Sequence, residues 1–200
     1  SHKLIHKRHN LYEKYYFCIP RMNRHKNRKE EWYVETNYHL AACIPFLRSV
    51  FPKSHIIHII RDGREVVTSW LNKYRYITND HLMPDHVGDE KAKEKWADWN
   101  PLQKLAWYWK VINKLAYENA PDVWIQFEEI FEGNQTGIYR ILDQFEGISY
   151  DSQKVNDLLC RKVNRTTNRF FPEYRDWPGL WKEQFWEVAG ETMEQFGYRE

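Results

Sequence analysis

No run of about 18 apolar side chains occurs in this 200-residue chain, so it offers no membrane-spanning helix. Cysteine is scarce. Cys18, Cys43 and Cys160 are the only three, and their spacing fits neither a disulfide framework nor a zinc site. Reduced thiols, two of them in apolar surroundings, are the simplest reading and suit a reducing compartment. Internal repeats and low-complexity stretches are also missing, and 42% hydrophobic content can bury one substantial core. A single domain over 1–200 is the expected organisation.

The net charge of +2 conceals an asymmetry. Residues 1–30 carry nine Lys or Arg (Lys3, Lys7, Arg8, Lys14, Arg21, Arg24, Lys26, Arg28 and Lys29) against Glu13 and Glu30, a balance of +7 that leaves −5 for the rest. Such an arm can draw a polyanion, whether an acidic polysaccharide or nucleic acid. With no zinc knuckle and no aromatic RNA-binding motif beside it, a solvated, loop-rich face is preferred and no nucleic-acid partner is expected. Ser1-His2 has the look of a cloning remnant and is set aside. Aromatic residues are abundant, with ten Trp and thirteen Tyr, but at helical spacing they read as core. In a helix over 101–119, Leu102, Leu105, Trp109, Ile112 and Ala116 form one stripe that should pack on a sheet.

The most informative stretch is FPKSHIIHIIRDGREVVTSW, residues 51–70. Ile56, Ile57, His58, Ile59 and Ile60 are short, β-branched and apolar nearly throughout, as in a strand buried on both faces of a parallel sheet. Arg61 stands at its end. Asp62 with Glu65 three positions on reads as a capping box, opening a helix that turns Val66, Val67, Trp70 and Leu71 towards the sheet. Ligands of open α/β sheets sit outside the carboxyl ends of the strands, and free N–H groups at a helix start attract anions. Arg61 is therefore placed to hold a phosphate.

Here the chain resembles the sulfotransferases that use 3'-phosphoadenosine 5'-phosphosulfate (PAPS), which share a strand, an Arg at its end and a Ser eight positions on. Those residues are Arg61 and Ser69, and the resemblance implies that they bind the donor's 3'-phosphate, guanidinium and hydroxyl each meeting phosphate oxygens. The surroundings follow the family's order. Upstream come a short strand, Trp32–Glu35, and a helix with Tyr38, Ala42, Ile44 or Pro45, Leu47 and Val50 as candidate buried positions, ending at Phe51-Pro52. Downstream, PDVWIQFEEIFEG at 121–133 is similar to the family's later strand and acidic turn, followed by a helix from Gln135 to Phe145. The closing helix and its Gly197-Tyr198 match as well, so the resemblance covers roughly residues 31–200.

The resemblance implies a three-layer α/β/α fold with a parallel sheet, like that of P-loop nucleoside-triphosphate hydrolases. One family element is missing. The Gly-rich loop that cradles the 5'-phosphosulfate, with the central strand before it, has no counterpart; the nearest segment, FCIPRMNRHKNR at 17–28, lacks the Gly that lets backbone approach an anion. A C-terminal part of a longer enzyme is the expectation that follows. The reaction implied is in-line transfer of a sulfuryl group from PAPS to a hydroxyl or amine, with 3'-phosphoadenosine 5'-phosphate (PAP) leaving and no metal required.

The acceptor needs a base. Where cytosolic relatives carry Lys-Thr-His, this chain has Glu35-Thr36-Asn37, and Asn cannot take a proton. His39 and Glu35 are the nearest titratable candidates; otherwise the base lies outside this chain. Phe127 stands where relatives have Tyr beside the acidic pair, here Glu128-Glu129. Trp70 is either an adenine-stacking face or core. From the loop CRKVNRTTNRFFPEYRDW, which offers Arg161, Lys162, Arg165 and Arg169, Arg165 is the choice for the basic residue that relatives place on the 3'-phosphate. His81 and His86 fall in a region that shapes the acceptor pocket in such enzymes, without an assigned role. A small-molecule or glycan acceptor and a cytoplasmic setting are expected, or the Golgi lumen if an N-terminal anchor precedes this segment. The alternatives are a non-catalytic nucleotide- or partner-binding module of the same fold, and a kinase-like enzyme, which the absence of Gly-Lys-Ser/Thr disfavours.

Overall fold

The computed structural model describes residues 34–73, 82–131, 136–145, 147, 149–160 and 170–200. In chain order the elements are a 3-10 turn at Tyr38–Cys43, helix α1 at Ile44–Val50, strand β1 at Ile57–Ile60, helix α2 at Gly63–Asn72, and short helices α3 at Pro84–Val87 and α4 at Glu90–Lys95. There follow α5 at Pro101–Glu118, β2 at Val123–Gln126, α6 at Phe127–Phe131, α7 at Thr136–Leu142, α8 at Ser152–Leu159, a 3-10 turn at Tyr174–Asp176 and α9 at Gly179–Gln195. The described residues are mostly helical, with a small parallel sheet of two strands. The described residues form two compact units, one of residues 34–54 and 82–98, the other of residues 55–73 and 99–200.

In the first unit, Asn37 opens the 3-10 turn by accepting the backbone N–H of His39 at 3.0 Å. Pro45 then sits in the first turn of α1, where a missing N–H costs nothing. The helix expected here forms, but its inner face is Ala41, Cys43, Ile44 and Leu47, while Tyr38 and Pro45 are exposed. The strand expected over Trp32–Glu35 does not form in its described part. Val34 and Glu35 are irregular, and exposed Val34 gains too little burial to hold a strand. Asp89 caps α4 through the N–H of Ala92 at 3.0 Å, and Lys93 pairs with Asp85 at 2.7 Å.

The second unit is built around β1 and β2, which pair in parallel with Ile57 opposite Val123 and Ile60 opposite Gln126. Their common start is fixed by the Ile56 N–H donating to the Asp122 carboxylate at 2.6 Å. The register puts His58, Ile60, Trp124 and Gln126 on one face and Ile57, Ile59, Val123 and Ile125 on the other. Helix α5 and the end of α9 cover the first face: Asn113 meets His58 at 3.0 Å, and the Phe196 ring stands edge-on to those of His58 and Trp124. Helix α7 covers β2 on the second face, at so close an approach that a Cβ on Gly137 would lie 2.8 Å from Ile125 Cγ2. Over β1 that face is covered only in part, with Ile57 half-buried. Ile60 and Ile125 are fully buried, each stabilising the fold by about 1.5–3 kcal/mol, but Ile59 is 47% exposed, so β1 is not buried on both faces as its composition suggests.

Helix α5 is capped by Asn100 and Gln103, whose side chains accept each other's backbone N–H groups. The expected stripe of Leu102, Leu105, Trp109, Ile112 and Ala116 is buried throughout. Ala106, Trp107, Tyr108 and Val111 are buried too, because α5 is enclosed by α2, α9 and β1. Helix α2 correspondingly lies chiefly on α5 rather than on the sheet: Val67 is fully buried, while Val66, Trp70 and Leu71 are half-buried. The helix expected from Gln135 to Phe145 spans Thr136–Leu142. No helix among the described residues is long and apolar enough to cross a membrane. Of the described cysteines, Cys43 is buried and Cys160 exposed, and neither forms a disulfide.

Candidate functional site

Where β1 ends and α2 begins, one peptide group is held at both ends by side chains from distant parts of the chain. Trp109 Nε1 donates to the Arg61 carbonyl at 3.1 Å. The next N–H, that of Asp62, donates to Glu128 Oε1 at 3.2 Å. Both polar ends of the Arg61–Asp62 peptide are thus fixed, one from α5 and one from α6. Asp62 caps α2 as expected, its Oδ1 accepting the Arg64 N–H at 2.8 Å. The reciprocal half of the capping box is different: Glu65 does not reach back to Asp62, and Glu128 takes its place from across the sheet. Gly63 lets this turn pack tightly, since a Cβ there would lie 2.9 Å from Trp109 Cδ2 and 3.0 Å from Met193 Sδ.

Released from the cap, Glu65 pairs with Arg61 Nη2 along the surface of α2. The Arg61 guanidinium lies 4.6 Å from the Phe127 ring centroid, a cation–π contact that follows from the register, because Arg61 and Phe127 directly succeed the paired Ile60 and Gln126. Phe127 in turn packs on Phe131, with ring centroids 4.4 Å apart. Two features leave donor capacity at Arg61: its side chain is 41% exposed, and its Nε–H is buried without an acceptor.

The neighbouring charges are largely committed. Arg64 is bidentate on Asp62, with its Nη2 at 2.6 Å, and its guanidinium rests on the Tyr174 ring. Those bonds to Asp62 push its already high pKa further up, against the opposing effect of burial. Glu129 is held by Arg140 at 2.9 Å and accepts the Gln126 N–H at 3.1 Å. Glu128 is held by neutral donors, the Asp62 N–H and the Tyr198 hydroxyl at 2.7 Å. Burial first, and the bond to Glu128 second, push the Tyr198 pKa up, so the phenol keeps its proton and donates.

Of the residues singled out from sequence, Glu65 and Ser69 lie one helical turn apart on α2, with Ser69 half-buried, while Arg61 precedes the cap of the helix and pairs with Glu65. Trp70 is half-buried beside Tyr108, at 5.7 Å between ring centroids, which is a core contact. Glu35 and His39 belong to the first unit, where both are half-buried and the His39 ring lies 4.0 Å from that of Tyr38. Asn37 has its side-chain oxygen committed to the cap. His86 Nδ1 accepts the Met83 N–H at 3.1 Å and so closes the first turn of α3. Arg165 and the rest of its basic loop, His81, Cys18 and the 17–28 segment lie outside the described residues. No group of three His, Cys, Asp or Glu placed to hold a metal occurs among the described residues. Sequence reasoning missed Trp109, Gly63 and Tyr198 as parts of this corner, and only the glycine, second in a cap-like Asp-Gly-Arg-Glu, carried a local signal.

Neither the curated proteins nor the solved structures yield a match to this chain. A family model does: that of the sulfotransferase family, over residues 6–152. The matched span starts inside the basic segment and takes in β1, Arg61, Ser69, β2 and the Glu128-Glu129 pair, while Arg165 and α9 lie beyond it. With most of its length matched, the chain belongs to the sulfotransferase family.

Proposed function

We propose that this chain is a sulfotransferase domain that uses PAPS as its donor, with Arg61 and Ser69 taking the 3'-phosphate. The observation that carries the reading is the state of Arg61: held by its backbone at a strand end, it has a buried Nε–H without an acceptor and a guanidinium still 41% exposed. An anion supplies the acceptors that a guanidinium fork is built to meet. The anion on this reading is the 3'-phosphate of PAPS, which supplies the sulfuryl group for transfer to a hydroxyl or amine of a small molecule or glycan. On this reading β1 and β2 are part of the family's larger parallel sheet in a three-layer fold. The protein's own work is to bind and orient rather than to form covalent bonds. His39 and Glu35 are the candidate bases.

A second reading, a nucleotide- or partner-binding module without transfer activity, is favoured by Asn37, whose side chain is spent on capping where relatives carry a His. Equilibrium titration with PAP and with adenosine 5'-phosphate, which lacks the 3'-phosphate, tests what both readings share. The 3'-phosphate should strengthen binding by about 1.5 to 3 kcal/mol, the range for hydrogen bonds between charged groups. Equal affinity for the two nucleotides overturns the assignment. Release of PAP from PAPS in the presence of acceptor then separates enzyme from module.

A further inference from the structure

Helix α9 ends in a way that aims one side chain at the Arg61 corner. Gly197 adopts the left-handed conformation, φ 83°, its N–H donating to the Glu194 carbonyl and the next N–H, of Tyr198, to that of Met193, both at 2.9 Å. This is a Schellman turn, which reverses the chain and requires a residue at ease with positive φ. The reversed segment is tied down at successive points. Gln126 Nε2 donates to the Phe196 carbonyl at 2.7 Å, and Arg64 Nη1 to the Arg199 carbonyl at 3.0 Å. Between them Tyr198 is buried, its hydroxyl 2.7 Å from Glu128 Oε2 and 3.4 Å from the Ile60 carbonyl. The other oxygen of Glu128 accepts the N–H that follows Arg61.

We infer that Tyr198 and Glu128 are positioning residues for the donor site: a relay from the end of α9 through the Glu128 carboxylate to the Arg61–Asp62 peptide. The inference rests on the reading of Arg61 as the 3'-phosphate ligand. Neither side chain contacts the ligand on this account. Tyr198 fixes the direction of the carboxylate, the carboxylate fixes the peptide, and Glu65 is thereby free of the cap. A guanidinium whose backbone is already in place loses less freedom on meeting an anion, so the relay appears as affinity for the 3'-phosphate.

The test measures, for each protein, the ratio of its affinities for PAP and adenosine 5'-phosphate, because partial unfolding lowers both equally and leaves the ratio unchanged. Tyr198→Phe removes one hydrogen bond without altering charge and should cut the preference for PAP by about two- to tenfold. Glu128→Ala should cut it as well. Glu128→Gln, whose amide can accept from Asp62 and donate to Tyr198, should retain most of it. A wild-type ratio in both Tyr198→Phe and Glu128→Ala overturns the relay while leaving the Arg61 reading intact, and so does a Glu128→Gln ratio as low as that of Glu128→Ala. A wild-type protein that does not prefer PAP overturns the Arg61 reading, and the relay with it.

Discussion

Trp109 and Arg61, 48 residues apart, are joined by a single hydrogen bond of 3.1 Å from the indole N–H to the backbone carbonyl. Through it a helix buried on most of its surface sets the position of an arginine whose side chain is partly exposed. Trp109→Phe keeps an aromatic ring but leaves the carbonyl without its donor and a small void beside Gly63. Stability should fall by roughly 2 kcal/mol from those two effects together, read as a shift of the urea midpoint. Affinity for PAP should fall as well, and an unchanged midpoint would show that the bond does not hold the corner.

Acid should weaken the fold through His58. The side chain is buried, with Nε2 at 3.0 Å from Asn113 Oδ1 and Nδ1 without a partner, and burial outweighs the Asn113 bond in lowering its pKa below the ordinary 6.5. The folded protein therefore keeps His58 neutral at a pH where the unfolded chain takes up a proton. Its contribution is complete above pH 6.5 and is lost as pH falls from there towards the lowered folded value. Between about pH 7.5 and 5.5 the urea midpoint should drop more for the wild type than for His58→Gln. Parallel slopes would remove His58 as the cause.

Glu65 competes for the guanidinium that a donor nucleotide would use. The pair is exposed on both sides, at 41% and 57%, so breaking it should change stability by no more than about 0.5 kcal/mol. Glu65→Gln should instead raise affinity for PAP, by up to about fivefold, by relieving competition and like-charge repulsion. Weaker binding would mean that Glu65 helps to orient Arg61 for its ligand.

Ala120, at the end of α5 and just before Pro121, has φ 49°, in the left-handed region that a Cβ disfavours. Ala120→Gly should raise stability by about 0.5–1 kcal/mol, the backbone penalty removed being partly offset by the freer unfolded chain. Nucleotide binding should not change, and a lowered denaturation midpoint would contradict the assignment of strain.

What was legible in the sequence was local. The β-branched run ending at Arg61, the Asp62 cap and the stripe along α5 each lie within a few residues, and each formed. What converges on Arg61 from afar left no local pattern: Trp109 at a separation of 48, Glu128 at 66 from Asp62, and Tyr198 at 138 from Ile60. For the same reason the second half of the capping box was misread, since Glu65 has the right spacing but Glu128 has the better position. The exposure of Ile59 was hidden because a run with no alternation gives no sign of which face is covered. Val34 and Glu35 show the converse, strand-like composition without the burial to sustain a strand.

The central claim is that Arg61 is the anchor for the donor's 3'-phosphate, and calorimetric titration of PAP into the intact protein and into Arg61→Ala tests it most directly. The account predicts binding to the wild type that the substitution weakens by about 1.5 to 3 kcal/mol, as expected for loss of hydrogen bonds between charged groups. Equal affinity in the two proteins would contradict it.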